Sequence, residues 1–266
     1  MNLNKALVVM QKAAFDAGCM LLQRQSTVKR LESRKDFLTD TDLKSEEIIL
    51  RALLSAYPSI PSYSEEKGGT EEKEGYLWVI DPVDGTINFF LQDDNWGISI
   101  ALVENSLSIA GVIYLPARKQ MFVASKDTLA KMRVGKGKWR DLSVSKDSKL
   151  ADSQFWLEWG KEEHGGDDHE KVYEVIKKLD RHSLYPQIRN SATADLMKVA
   201  QGKIAGLVFT KPEPFDVAAA GLIIERAGGV VTEIHGGSWS SFSKSLVASN
   251  GIIHNDLLRI IMTTKK

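Results

Sequence analysis

Apolar positions fall into helical and strand-like blocks along the chain. Leu3, Ala6, Leu7, Met10, Ala13, Ala14, Ala17 and Leu21 recur at helical spacing and predict an amphipathic opening helix over residues 3–24. The polar stretch SRKDFLTDTD separates it from a second periodic run, Leu43 to Tyr57, which Pro58 stops. YLWVIDP reads as a buried strand ending at Pro82. GISIALVE, SIAGVIYLP and KQMFVAS follow, split by turn signals at Glu104–Asn105 and Pro116–Ala117, and predict an antiparallel meander. Gly135 to Asp141 is a glycine- and lysine-rich turn, and Lys161 to His169 a polar surface loop. Helices are expected from Asp168 to Leu179 and from Ser191 to Gln201, then a strand at AGLVFT. A helix from Val217 to Ala227 is closed by Gly228–Gly229, two strands follow at VVTEI and SLVAS, and HNDLLRIIMTT forms the last helix.

Helices and antiparallel strands in blocks point to a layered α+β architecture rather than a doubly wound parallel sheet. No repeat or linker divides the chain. With 266 residues, 43% of them hydrophobic, it can bury one large core or two small, intimately packed ones. Lys plus Arg and Asp plus Glu both total 35, so the formal charge is zero. That balance argues against a dedicated nucleic-acid binder, though not against a small phosphorylated ligand. Cys19 is the single cysteine, which excludes an intramolecular disulfide and a thiolate metal cluster, and it reads as a buried thiol inside the first helix. The opening apolar run is interrupted at Gln11, Lys12 and Asp16, unlike a signal sequence or membrane span, so a cytoplasmic, membrane-free protein is expected. The five histidines show no metal-binding spacing. His164 and His169 flank a polar GGDD and read as a solvated loop. Trp156 and Trp159, beside Glu158, either wall a pocket or pack.

The chemistry concentrates in WVIDPVDGTINF. A buried strand delivers Asp81, Pro82 fixes the backbone, Asp84 follows, Gly85 permits close approach and Thr86 adds a hydroxyl where a helix can begin. Two carboxylates at a strand end suit a hard cation such as Mg²⁺, and the Gly85 and Thr86 amides suit a phosphate oxygen. The same residues also make an ordinary turn. Three further acidic sites bear on the choice. They are Asp40 and Asp42 in LTDTDLK just before a helix, Glu65 and Glu66 in YSEEKGG, and Asp216 in PFDVAAAGLIIERAGG. Singly, Asp42 or Asp216 could cap a helix and the glutamates could be solvated charge. Jointly they place carboxylates at four loop–element junctions, as multi-metal hydrolytic sites require.

The order Glu-Glu loop, DPVDGTINF and distant FDVAAAGLIIERAGG resembles the magnesium-dependent, lithium-sensitive phosphatase superfamily, with inositol monophosphatase the nearest type, over essentially the whole chain. The resemblance implies an αβαβα sandwich of the inositol monophosphatase and fructose-1,6-bisphosphatase type. It would be one unit, with an N-terminal α+β part over about residues 1–145 and a C-terminal α/β part over about 146–266. It further implies hydrolysis of a small polyol or sugar phosphate by activated water, with two or three Mg²⁺ per site, lithium inhibition and a homodimer. In these roles Glu65, Asp81, the Val83 carbonyl, Asp84 and Asp216 would be metal ligands, with Glu65 also catalytic. Thr86 and Asp42 would orient and deprotonate the attacking water. Asp84, Gly85, Thr86, Arg189, Ser191 and Asp216 would meet the substrate.

Departures from the family bear on substrate. Phe215 replaces the usual tryptophan before the aspartate. Asn190 replaces a glycine in the RNSATADL turn, and Phe209 stands where animal inositol monophosphatases carry a ring-contacting glutamate, with Glu213 out of register. Fructose-1,6-bisphosphatase and 3′(2′),5′-bisphosphate nucleotidase activities are alternatives. For fructose 1,6-bisphosphate, Arg189, Lys136 and Lys138 could contact a second phosphate or be plain surface charge. A regulatory binding protein that keeps the fold is the alternative from another class.

Overall fold

The fold is described from a computed structural model, for residues 1–25, 34–69, 71, 74–159 and 168–262, with backbone alone for 34–39 and 168–171. Two long antiparallel-packed helices begin the chain, α1 (Leu3–Gln25) and α2 (Arg34–Ala56). The eight apolar positions that predict α1 are all buried. Cys19 is not: it lies off that stripe and is exposed, so the expected buried thiol is corrected. α2 starts a full two turns earlier than the apolar periodicity indicates, which puts Asp40 and Asp42 inside a helix rather than before one. Tertiary contacts explain this. Arg24 of α1 donates to Asp40 and, at 3.0 Å, to the Thr41 hydroxyl, while Lys44 pairs with Asp40 one turn on at 2.8 Å.

The first sheet runs in chain order through β1 (Ser62–Ser64), β2 (Tyr76–Asp84), β3 (Gly97–Glu104), β4 (Leu107–Leu115), β5 (Gln120–Ser125), β6 (Lys131–Val134) and β7 (Arg140–Asp141). A short helix, α3 (Thr86–Phe90), follows β2. Strands β1 and β2 are parallel and the remaining pairs antiparallel, so the meander of the sequence is β3–β4–β5. The glycine- and lysine-rich turn joins β6 to β7, two short strands that the apolar pattern does not reveal.

The second sheet is formed by β8 (Gln154–Trp159), β9 (Leu184–Gln187), β10 (Gly206–Thr210), β11 (Val230–Thr232) and β12 (Ser245–Ser249), in the order β11-β12-β10-β8-β9. Its helices are α4 (Asp168–His182), α5 (Ala192–Ala200), α6 (Pro214–Arg226) and α7 (His254–Met262). Most of the expected 161–169 loop, with the side chains of His164 and His169, lies outside the described residues.

Three apolar cores stack these parts into five layers. Met10, Leu21 and Leu53 of α1 and α2 pack on Trp78, Ile80, Ile98 and Ile100 of the first sheet. The other face of that sheet (Leu77, Val79, Ala101, Ile113) meets α5 and α6, which also cover Trp156, Leu207 and Leu246 of the second sheet. Phe155, Leu157, Val208 and Val247, alternating with those residues, face α4 and α7. The middle helix α6 is buried continuously from Val217 to Ile224, as a helix between two sheets must be. This is the αβαβα sandwich expected from the resemblance. Among the described residues, no helix is long and apolar enough to cross a membrane.

Candidate active site

Asp81 and Asp84 would point to opposite faces of a regular strand, because side chains alternate with period two. A bulge in β2 removes the conflict. Asp81 pairs with Ser99 and Asp84 with Gly97, so three steps on β2 oppose two on β3, and the extra residue brings both carboxylates to one side. Pro82, which has no N–H to offer a ladder, sits inside the bulge. The Val83 amide donates to Asp81 at 3.0 Å, and the Val83 carbonyl accepts the Thr86 hydroxyl at 3.1 Å.

Gly85 turns the chain from β2 into α3 with φ 78° and ψ 40°. A side chain there is excluded twice over. The backbone is left-handed, and a Cβ would lie 2.9 Å from the Asn95 carbonyl and 3.0 Å from Ser191 Cβ.

Asp84 is clamped by the first turn of α5. Its Oδ1 accepts the Ala192 amide at 3.1 Å. Its Oδ2 accepts the Thr193 amide at 2.9 Å and the hydroxyls of Ser191 and Thr193. Three of the four bonds fall on Oδ2, so Oδ1 keeps a lone pair for another partner. Ser191, expected at the substrate, is buried and donates its hydroxyl to Asp84.

Asp216 lies in the first turn of α6 and accepts the Glu213 backbone amide at 2.8 Å. The helix-capping reading of Asp216 is therefore met, and in addition one carboxylate oxygen of each of Asp81, Asp84 and Asp216 comes within 4.8 Å of the others. Glu65 joins them from the loop after β1, hydrogen bonded to Asp81. The Phe215 ring packs on Tyr63, at 6.0 Å between centroids, and so ties the start of α6 to β1.

Helix α2 backs the cluster. The Ser45 hydroxyl donates to the Pro82 carbonyl at 2.8 Å, and buried Glu46 accepts the Lys67 amide at 3.1 Å, holding the Glu-Glu loop. Asp42, also buried, is three and four residues before them and shares their helical face. Ser45, Glu46 and Thr193 escape the sequence reading. Their signal is helical register, i+3 and i+4 from Asp42 and two residues past an N-cap serine.

Asn190 has φ 56°, the left-handed conformation that asparagine tolerates best after glycine, so its place in the turn is met. Arg189 beside it is exposed, with its guanidinium 5.8 Å above the Trp156 ring. Lys136 and Lys138 lie beyond β6, four strand spacings or about 19 Å from β2. They are surface charge at that distance. Phe209 is buried in the middle core, away from any hydroxyl it could have been asked to meet.

Burial pushes the Asp81 carboxyl well above the usual range, and Glu65, Asp84 and Asp216 add to it by repulsion. Asp216 is raised by burial and then by Asp84. Asp84 rises to about 6 by burial, opposed by the hydrogen bonds from Ser191 and Thr193. Crowded, buried carboxylates that resist ionisation are a site lacking positive charge, and an all-oxygen donor set fits a hard divalent cation such as Mg²⁺.

The profile of the inositol monophosphatase family matches residues 2–265. The fructose-1,6-bisphosphatase/inositol-1-monophosphatase of Thermotoga maritima is 28% identical, over 90% of this chain and 87% of its own. The Nus factor SuhB of Pasteurella multocida is 30% identical, over 97% and 96%. The structure of inositol monophosphatase from Anabaena superposes with a TM-score of 0.84 at 28% identity, covering 100% of this chain and 98% of that one. A profile match across residues 2–265, together with the likeness in fold, makes this chain a member of the inositol monophosphatase family.

Proposed function

We propose that this protein is a Mg²⁺-dependent phosphomonoesterase acting on a small polyol or sugar phosphate. The observation that carries this reading is the convergence of Asp81, Asp84 and Asp216, with Glu65 against Asp81, at the ends of β1 and β2 and the first turn of α6, where Asp81 and Asp84 are buried and neighbouring like charge raises Asp81 and Asp216. These four carboxylates and the Val83 carbonyl would hold the metal, in two or three ions. Magnesium bound there would supply positive charge against the phosphate and acidify an attacking water.

The chain's own groups divide the remaining tasks. Thr86, at the start of α3, and Asp42, on the α2 face that braces Pro82, would orient that water and take its proton. The Gly85 and Thr86 amides would bind non-bridging phosphate oxygens as charge builds. Attack in line by water would invert phosphorus, with no protein nucleophile needed. Arg189, exposed beside the α5 turn, would meet a substrate hydroxyl or a second phosphate. With Phe209 in the core, a dedicated inositol-ring contact at that position is absent, and fructose 1,6-bisphosphate or a bisphosphate nucleotide stays an alternative substrate. Lithium inhibition and a homodimer would be expected from the family resemblance, and a cytoplasmic location from the interrupted opening apolar run.

Phosphate release is the test. Inositol 1-phosphate, fructose 1,6-bisphosphate, glycerol 2-phosphate and adenosine 3′,5′-bisphosphate would be assayed with and without Mg²⁺, and with Li⁺. Release that requires Mg²⁺ and falls with Li⁺ is expected. Binding of Mg²⁺ with no release from any substrate would favour the second reading, a regulatory protein. That reading is raised by a relative named a Nus factor.

A further inference from the structure

Glu158 is a carboxylate where strand alternation calls for an apolar side chain. On β8, Phe155 and Leu157 face α4 and α7, whereas Trp156 faces the middle core, and Glu158 shares the side of Trp156. It is also in register with Phe209 on β10. It is only 4% exposed, and Asp195 of α5 is fully buried.

The two are hydrogen bonded to one another. Carboxylates only accept, so a bond between them requires that one carry a proton. Their remaining bonds are well defined. Glu158 Oε1 accepts the Asn190 amide at 3.0 Å, and Asp195 Oδ1 accepts the Asn95 side-chain amide at 3.0 Å. Among the described residues, Asp195 Oδ2 has no amide, hydroxyl or cation as donor, which leaves the Glu158 carboxyl to supply one. Burial pushes Glu158 up to about 10, with Asp195 as the next cause, in keeping with a proton retained at neutral pH.

Asn190 begins the turn that ends in the grip on Asp84. Asn88 holds the same turn from outside, donating to the Arg189 carbonyl at 2.8 Å and to the Asn190 carbonyl at 3.3 Å. Glu158 holds it from within. Ser191 and Thr193, the next residues along, deliver their hydroxyls to Asp84.

We propose that Glu158 and Asp195 form an acid–carboxylate pair sharing one proton, and that Glu158 is a positioning residue which, through the Asn190 turn, aims Asp84 at the metal site. This rests on the metal-dependent reading above. Glutamine is isosteric and can make both bonds, accepting from Asn190 and donating to Asp195, whereas leucine can make neither. The charge of Glu158 is irrelevant to this role, and its hydrogen-bond pattern is everything.

Mg²⁺ affinity of the full-length protein would be measured by titration calorimetry for wild type, Glu158→Gln and Glu158→Leu, with circular dichroism as the control for folding. Glu158→Leu is expected to weaken Mg²⁺ binding on the order of tenfold, the usual effect of losing a group that orients a ligand, with Glu158→Gln within about twofold of wild type. Equal affinity in folded Glu158→Leu and wild type would overturn this proposal and leave the phosphatase reading intact. Glu158→Gln as damaged as Glu158→Leu would also overturn it, because charge would then be the requirement. A wild type that binds no Mg²⁺ would overturn both readings. Should Glu158→Leu not fold, proton NMR of the metal-free protein decides. A far-downfield exchangeable proton is expected in wild type and absent in Glu158→Gln, and its absence from wild type refutes the shared proton.

Discussion

Thr193 holds Asp84 twice on one oxygen, through its backbone amide at 2.9 Å and through its hydroxyl. The amide bond survives any substitution that keeps α5, so the hydroxyl can be removed alone. Thr193→Val is nearly isosteric, and should raise the Mg²⁺ concentration for half-maximal activity about tenfold or more, as loss of a ligand-orienting bond does. Thr193→Ser should restore it. Mg²⁺ titrations of phosphate release with the three proteins check this, and a valine variant with an unaltered Mg²⁺ requirement would remove Thr193 from the site.

Asp81 sits among like charges. It is 1% exposed, Glu65, Asp84 and Asp216 all disfavour its ionisation, and the Val83 amide is its bond within the bulge. Asp81→Asn relieves that repulsion and keeps an oxygen for Val83. The variant should therefore be inactive yet, without metal, more stable than wild type. About 1 kcal/mol of relief corresponds to a rise in Tm of about 2–4 °C at this chain length. Thermal unfolding in EDTA and again in excess Mg²⁺ tests both halves. Wild type should gain stability from Mg²⁺ and Asp81→Asn should not. An EDTA melting point below that of wild type would show that the carboxylates do not repel as described.

The clustered carboxylates were legible because each stands in a short motif whose spacing betrays it, Asp81 and Asp84 across DPVDG and Asp216 in FDVAAAG. The layers were legible because apolar periodicity switches cleanly between 3.6 and 2. What is not local was not legible. The first two turns of α2 lack an apolar stripe, and at their end Asp40 is paired with Arg24 of α1, sixteen residues back in the chain. Glu158 in QFWLEW looks like the solvent side of a strand, and its burial makes sense only once Asp195 and Asn190, both distant in sequence, are placed against it. Thr193 could be read as an ordinary helix threonine, since nothing in ATADL shows that Asp84 lies over that turn. Cys19 was misjudged because a helix of alanines and leucines still has an outer face.

Asp84 gives the site a pH dependence with a definite sign. Its carboxyl is raised from an ordinary 3.8 to about 6 in the metal-free protein. Between those values the folded state holds a proton that the unfolded chain has released. The contribution to stability is thus full below the ordinary value and lost as pH rises through about 6. Mg²⁺ reverses the trend, because it needs the ionised form. Affinity for Mg²⁺ should fall about tenfold per pH unit once pH drops below about 6, for each proton displaced. Accordingly, the Mg²⁺-induced rise in Tm should be larger at pH 8 than at pH 5. Equal shifts at the two values would show that Asp84, and with it Asp81 and Asp216, is already ionised at the lower pH, and so that burial and repulsion do not hold these carboxyls up.

Thr86 separates the chemical step from metal binding. Its hydroxyl donates to the Val83 carbonyl at 3.1 Å, and its backbone amide opens α3 whatever the side chain. Thr86→Ala therefore leaves Glu65, Asp81, Asp84 and Asp216 where they are, and frees a lone pair of the Val83 carbonyl. Mg²⁺ affinity by calorimetry should be unchanged or slightly stronger. Turnover should fall about 10²–10⁴-fold, the range for losing a group that moves a proton in the transition state. The fall should appear in kcat at saturating Mg²⁺ and substrate, because the phosphate contacts assigned to the Gly85 and Thr86 amides are backbone contacts and persist. Serine at this position should recover much of the rate. If instead Thr86→Ala loses Mg²⁺ affinity and turns over normally at saturation, the hydroxyl serves the metal shell through Val83, and Asp42 must handle the water without it.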